Sequence, residues 1–426
     1  MTIVRVLLLI TIAPLQGMAQ SDPVAESRAH YQAAVRAYQA RDLPAFLEHA
    51  REAQVRRPAH GGVTLALASA LALTGDTAGA FRTLRHFAAL GYSAELAGDS
   101  DFVSLRNSEA WTEVARRLEC NREPLAASRV AFELPDSTLL TEGLAYDPRE
   151  RVFYVGSVHQ GRILRVSAEG AATGFATVEG GRWAPLGLRV DERRRSLWVA
   201  AAALPQAARH TPGDSGRSAI LRYDLGTGRL DGRYEVPPDG QSHVLGDLIL
   251  SRSGDVYASD SRAPVIYRLA AGSDRLERFA ESPLLLSAQG LALDRDERTL
   301  YVADYSRGIL RVDLRGRIVS EVATAEGVLA LGIDGLYLHQ GRLLGIQNGV
   351  TPHRVTRFTL SPAGDRIQSS EILERAHPRY DEPTLGVLVE GELFYVANSQ
   401  WEGFGENGAI PHPDSLRRPV VLRLPL

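Results

Sequence analysis

The sequence predicts an all-β, six-bladed β-propeller that follows an N-terminal α-helical region. Three observations predict it. A unit of two apolar strands joined by a tight turn recurs six times between about Leu134 and the C-terminus. Most copies are followed by a third strand, read as RILRVS, AILRYDL, VIYRLA, GILRVDL, RVTRFTL and VVLRLPL. Before residue 120 the pattern changes to helical periodicity rich in Ala, Leu and Arg. Repetition at roughly 40–60 residues, with three or four short strands per unit, marks blades set around an axis.

In chain order, residues 1–20 read as a secretory signal peptide: Arg5, an apolar run Val6–Ile12, then Pro14 and the small residues before Gln20. That run is too short to span a bilayer, so a periplasmic or secreted protein with no membrane span is expected. Residues 21–120 read as a helical domain in which 37–53 and 72–90 align with Asp42 above Asp76, a shift of 34 residues. This is the tetratricopeptide period, in which each unit is a helix pair. A third helix is expected from Ser108 to Leu118, with Trp111 and Leu118 as packing residues. The domain is either a docking module for a protein partner or passive packing. Residues 121–127 read as a linker and 128–426 as the propeller, whose opening strand, 128–135, is expected to complete the last blade.

Composition narrows the function classes. The 426 residues are 44% hydrophobic and 23% charged, as in an ordered two-domain protein. A net charge of −3 gives no reason to expect nucleic acid or an anionic membrane as partner, and the small-molecule ligand or substrate expected here rests on the channel mouth described below. The run Arg193–Arg195 falls in a predicted turn and reads as solvated surface. Cys120 is the only cysteine, which excludes an intramolecular disulfide and thiolate zinc clusters. His159 and His353 are not at metal-ligand spacing, and no GxSxG, P-loop, HExxH or dinucleotide fingerprint occurs.

In a propeller, the residue opening each inner strand and the loop after the second strand emerge at one end of the channel. The openings are Glu142, Leu186, Gly246 with Asp247, Gln289, Asp334, and Thr384 with Leu385. The second strands end in Ser157, Ala201, Asp260, Asp304, Gln347 with Asn348, and Asn398. Such a ring of oxygen donors suits a hard cation, calcium first, with zinc, manganese or magnesium as alternatives. Asp260 and Asp304, in turn-like contexts, read as caps of their own turns. Glu142 and Asp334 have no local turn role and are expected to point into the channel; Asp247 fits either reading. Two long loops on this face, 202–218 and 399–418, are candidates for a lid, offering Arg209 and His210 on one side and Trp401, Phe404 and His412 on the other.

At these openings residues 128–426 resemble the senescence marker protein/regucalcin/gluconolactonase-like family of six-bladed propellers. In that family a Glu before Gly in blade one, an Asn before Gly in blade four and an Asp before Gly in blade five bind a divalent metal. The matching positions are Glu142 in TEGLAYD, Gln289 in AQGLALD and Asp334 in IDGLYL. The family's third-blade Asn-Asp pair, whose Asn helps hold substrate, stands here as Gly246–Asp247. Gln289 departs from the pattern by one methylene. The resemblance implies metal-dependent hydrolysis of a lactone or related small ester. Glu142, Gln289 and Asp334 would be the metal ligands, Asp334 also the catalytic base or the ligand that orients the attacking water, and Asp247 a ligand or substrate contact; Asn348 and Asn398, polar strand ends at the same mouth, are expected as substrate contacts. The alternative is a non-catalytic propeller that binds a ligand or protein at its mouth, with the helical domain as docking module.

Overall fold

The computed structural model describes residues 22–426, so the predicted signal peptide lies outside the described residues. No described helix is long and apolar enough to cross a membrane. Five α-helices are described before the strands begin: α1 (Pro23–Gln39), α2 (Leu43–Arg56), α3 (Gly61–Leu73), α4 (Thr77–Ala89) and α5 (Glu109–Arg122). Asp42 and Asp76 start α2 and α4, each accepting a hydrogen bond from a backbone N–H of the first turn, Ala45 at 3.1 Å and Gly79 at 2.8 Å. Phe46, Leu67, Leu71, Leu84, Phe87 and Phe102 fill the space between the helices. Each such side chain contributes about 1.5–3 kcal/mol on burial. Leu118 of α5 is buried and Trp111 packs at the edge of the same core.

Six antiparallel sheets follow. Their inner strands are Thr141–Asp147, Ala184–Asp191, Leu245–Leu250, Ala288–Leu293, Ile333–His339 and Gly386–Val389. Blades one to five each add three further strands in sequence order, and blade five carries a parallel two-residue extra strand, Ala323–Thr324, on its outer edge. Blade six has only three strands of its own, and its outermost place is taken by Arg129–Glu133, paired antiparallel to Val420–Pro425. The expected closure by the propeller's opening strand is therefore present, and the ring has no unpaired gap at that seam.

The ladder between inner and second strand is interrupted at one place in each of the first five blades. The breaks span Thr141–Leu144, Pro185–Leu188, Leu245–Leu248, Ala288–Leu291 and Ile333–Leu336. Two residues escape pairing at each, a β-bulge that re-aims a side chain. In four of the five, the second of these residues is glycine: Gly143, Gly187, Gly290 and Gly335. A Cβ on Gly143 would sit 2.2 Å from the carbonyl oxygen of Leu186 in the next blade, and one on Gly290 would sit 2.4 Å from the Leu336 nitrogen. Adjacent inner strands thus meet at the axis with no room for a side chain. The residue before the glycine is left to face the channel.

The helical region lies against blades four and five on the face where their second-to-third strand loops emerge. Ser93 N–H donates to the Thr351 carbonyl at 3.0 Å, and Arg307 pairs with Asp22 at 2.6 Å. Arg354, 2% exposed, lies over the ring of Tyr92 and reaches the carbonyls of Leu90 and Gly91. The linker is pinned by Glu374, a fully buried carboxylate of blade five. It accepts from the backbone N–H groups of Ala127 and Ser128 and from the hydroxyls of Ser128, Tyr380 and Tyr395. The Arg193–Arg195 turn is more than solvated surface, because Arg195 pairs with buried Asp147 of blade one and Arg194 reaches the Ser253 carbonyl of blade three.

Gly143→Ala is expected to destabilise the protein by at least about 1–3 kcal/mol, since the added methyl meets backbone. Gly174→Ala, in an outer strand with nothing within 4 Å, is expected to stay within about 0.5 kcal/mol of the parent. Urea unfolding of the two variants beside the parent measures both.

Candidate functional site

Four blades send a polar side chain to one end of the channel. Glu142, Asp247, Gln289 and Asp334 line a cavity of about 350 Å³, together with Leu186, Leu385 and the lid residues Leu204, Pro205, Gln206 and Trp401. Glu142, Gln289 and Asp334 each stand directly before a glycine in a bulge, so the same axial crowding that demands glycine places these three donors. In blade three the order is reversed to Gly246–Asp247.

Glu142 and Asp334 are almost wholly buried. Glu142 accepts from the Trp401 indole N–H at 2.8 Å and from the Ser399 hydroxyl at 3.3 Å. Neither partner is charged, and burial with the negative Asp334 nearby holds the Glu142 carboxyl well above the usual carboxylate range. Burial likewise pushes Asp334 up to about 7, with Glu382 and Asp247 adding repulsion and the Asn348 amide opposing the rise. That amide donates to Asp334 Oδ2 at 2.8 Å. Asn348 therefore stands behind Asp334, and its own carbonyl oxygen is buried without a partner.

Asp247, 1% exposed, forms the floor. Its Oδ2 accepts from Arg189 at 3.1 Å and from the Leu291 N–H at 3.3 Å, while Oδ1 is buried and unpartnered. Arg189 lines the pocket at the opposite end of the channel. The ion pair partitions the channel, and burial still raises the Asp247 carboxyl despite it. Of the expected substrate contacts Asp247 lines the cavity, whereas neither Asn348 nor Asn398 does. Its amide donates to the Arg418 carbonyl and accepts from the Val420 N–H, which fixes the root of the 399–418 loop, and it is not among the cavity's lining residues. Asp260 and Asp304 are caps as expected: Asp304 accepts from the N–H groups of Leu286, Ser287, Ser306 and Arg307. Asp260 accepts from those of Val244, Arg262 and Ala263.

The two long loops close on each other. Gly408 N–H donates to the Pro205 carbonyl at 3.0 Å, and Leu204, Trp401, Phe404, Ile410 and Leu416 join one apolar cluster over Leu140 and Leu186. His159 serves this lid, with Nδ1 at 2.9 Å from the Gln206 carbonyl and its ring against Phe404. Glu382 escapes a reading by repeats because it lies in the connection before blade six. It accepts from the Trp401 N–H at 3.1 Å, and burial raises its carboxyl too.

The donors present suit a hard cation in kind. Gln289 Nε2 donates to the Ser287 hydroxyl at 3.1 Å, which leaves its carbonyl oxygen available, and Glu142 and Asp334 are mutually repelling carboxylates with no cationic partner. Among the described residues no three His, Cys, Asp or Glu side chains form a metal-holding group, so Gln289 or solvent oxygens would have to complete the set.

The chain matches no protein-family model and no curated protein. Among solved structures it is similar to a gluconolactonase from Xanthomonas campestris, with 19% identity over 71% of this chain and 91% of that one, TM-score 0.47. It is also similar to a calcium-binding regucalcin from Agrobacterium tumefaciens, at 14% identity over 69% and 93% of the two chains, TM-score 0.48. A third is the PQQ-bound aldose sugar dehydrogenase from Streptomyces coelicolor, at 16% identity over 70% and 97%, TM-score 0.48. Likenesses of this degree leave the chemistry to be argued from the residues at the mouth.

The raised Asp334 carboxyl fixes the sign of a pH effect. Between its ordinary value of 3.8 and about 7 the folded state keeps a proton that the unfolded chain releases, so stability falls as pH rises through that window. In chelator, Asp334→Asn is expected to gain more in melting temperature over the parent at about pH 8 than at about pH 3, where the carboxyl is largely protonated in the folded and the unfolded chain alike. Thermal melts at the two pH values read the difference.

Proposed function

We propose that the mouth cavity holds a divalent cation, calcium first, and hydrolyses a lactone or a related small ester. The observation that carries this reading is the pair of buried carboxylates, Glu142 from blade one and Asp334 from blade five, on one small lidded cavity, neither of them ion-paired although Arg262 lines the same cavity. Glu142, Asp334 and the Gln289 carbonyl oxygen would hold the ion. When bound, such an ion supplies Lewis-acid polarisation of a carbonyl oxygen.

Asp334 acts as the general base. Its carboxylate takes a proton from a water whose oxygen forms the new bond to the ester carbonyl carbon, and the proton passes to the leaving alkoxide when the C–O bond of the ring breaks. The product is a hydroxy acid, and the balance is one water consumed. Without a cation, burial pushes Asp334 up to about 7, and a bound divalent ion would favour its ionised form, so the carboxylate would be available to accept a proton at neutral pH. The Asn348 amide fixes the orientation of Asp334, and Asp247 Oδ1 offers an acceptor to a substrate hydroxyl. Leu204, Pro205 and Trp401 restrict bulk water above the reacting atoms.

Calcium is expected to raise the melting temperature and chelator to reverse it. In a panel of small lactones, Asp334→Asn is expected to lower kcat by about 100-fold or more. Hydrolysis unchanged in Asp334→Asn after metal removal overturns the reading, as does a protein that responds to no divalent ion in either melting temperature or elemental analysis.

A further inference from the structure

A second and larger cavity, about 560 Å³, lies between the helical region and blades four and five. Its electrostatics are the reverse of the mouth. Arg28, Arg57 and His60 line it, and among the described residues no Asp or Glu does. Neither arginine has a carboxylate partner among the described residues: Arg28 donates to the Ser306 hydroxyl at 2.7 Å and Arg57 to the Ser306 carbonyl at 2.5 Å. Two other arginines of the same seam are paired, Arg307 with Asp22 and Glu321, and Arg56 with Glu26 and Glu52, whereas the buried Arg354 meets only the carbonyls of Leu90 and Gly91. The carboxylate of Asp304, which acts on Arg57 electrostatically, is already taken up by four backbone N–H groups.

Two further donors face the same charge. His60 Nδ1 accepts from the Val63 N–H at 3.3 Å, and burial beside Arg57 keeps the ring neutral, so its proton sits on Nε2. Gly61 and Gly62 open the thirteen-residue α3 at the cavity; the Gly61 N–H is taken by the Tyr92 hydroxyl at 3.2 Å and the Val63 N–H by His60, which leaves the Gly62 N–H at the helix's positive end. The remaining wall is apolar and aromatic: Tyr31, Leu65, Phe87, Tyr92, Tyr305 and Leu331. A bare inorganic anion would satisfy the guanidinium groups and leave that wall in water. An anion with an apolar body satisfies both.

We propose that this cavity binds an organic carboxylate, its head group held by Arg28 and Arg57 and its body laid against Tyr31, Tyr92 and Tyr305. The site is independent of any chemistry at the channel mouth. It nonetheless adjoins it, because Tyr305 lines this cavity and also feels the charges of Asp334 and Glu382.

The test is calorimetric titration of the whole protein with phenylacetate, 4-hydroxybenzoate and hexanoate, with phenylacetamide as the neutral control. At least one carboxylate is expected to bind at a single site, with the amide about tenfold weaker or more and with affinity falling as salt rises. Arg57→Gln and the more exposed Arg28→Gln are each expected to weaken binding by about tenfold, the second covering the case in which the first fails to fold. Arg262→Gln, which removes the arginine lining the mouth, is expected to leave it unchanged. The proposal is overturned if none of the three carboxylates binds at millimolar concentration or if the amide binds equally well. It is likewise overturned if folded Arg28→Gln keeps parental affinity, or if Arg262→Gln abolishes binding.

Discussion

Six strands meeting at one axis leave too little room for side chains between them, and the rest of the molecule follows from that crowding. Where Gly143 faces the Leu186 carbonyl, or Gly290 the backbone of blade five, any Cβ would collide with main chain that cannot rotate away. The chain meets the constraint with a glycine and a bulge at the same point of successive blades. A glycine supplies no side chain to the channel, so the residue ahead of it supplies the only one. Packing at the axis and the choice of functional side chains are consequently one problem, solved in two adjacent residues.

The electrostatic character of the mouth follows from whichever residues occupy those places. Three carboxylates are drawn toward one cavity, and only Asp247 has a guanidinium to offset its charge. Removing carboxylates from water costs several kcal/mol each when they stay ionised, so Glu142 and Asp334 hold protons far more tightly than exposed carboxyls do. Hydrogen bonds from Trp401 and Asn348 lessen that cost without cancelling it. The lid is thus tied to the acid it covers, since the Trp401 ring closes the cavity and its N–H holds Glu142.

Much of this could be read from the residues. Six strand pairs, the borrowed strand of blade six, the helix starts at Asp42 and Asp76 and the capping roles of Asp260 and Asp304 all rest on local spacing or local hydrogen bonds. Spacing within a chain segment reports those faithfully. Glu142, Asp247, Gln289 and Asp334 were legible because they break an otherwise repeated pattern. What could not be read depends on segments outside the repeat. Glu382 lies in a connection between blades, and Arg189 is one charged residue inside an apolar strand whose partner is a blade away. Asn398 looked like a channel donor by its register, yet its loop consumes both ends of its amide. The arginines of the helical seam follow a helix periodicity that gives no hint of the blade they face.

Blade six borrows its outer strand from the opposite end of the propeller sequence, and this gives the ring an order of assembly. Apart from the two-residue edge strand Ala323–Thr324 of blade five, every other blade pairs strands that are neighbours in the chain. The pairing of Arg129–Glu133 with Val420–Pro425 spans the whole propeller and carries the largest loop-closure entropy in the molecule. Glu374 then clasps the linker just ahead of that borrowed strand, so the last joint to form is also locked by a carboxylate with five donors. The propeller is fastened as a clasped ring, and the clasp joins the two ends of its sequence.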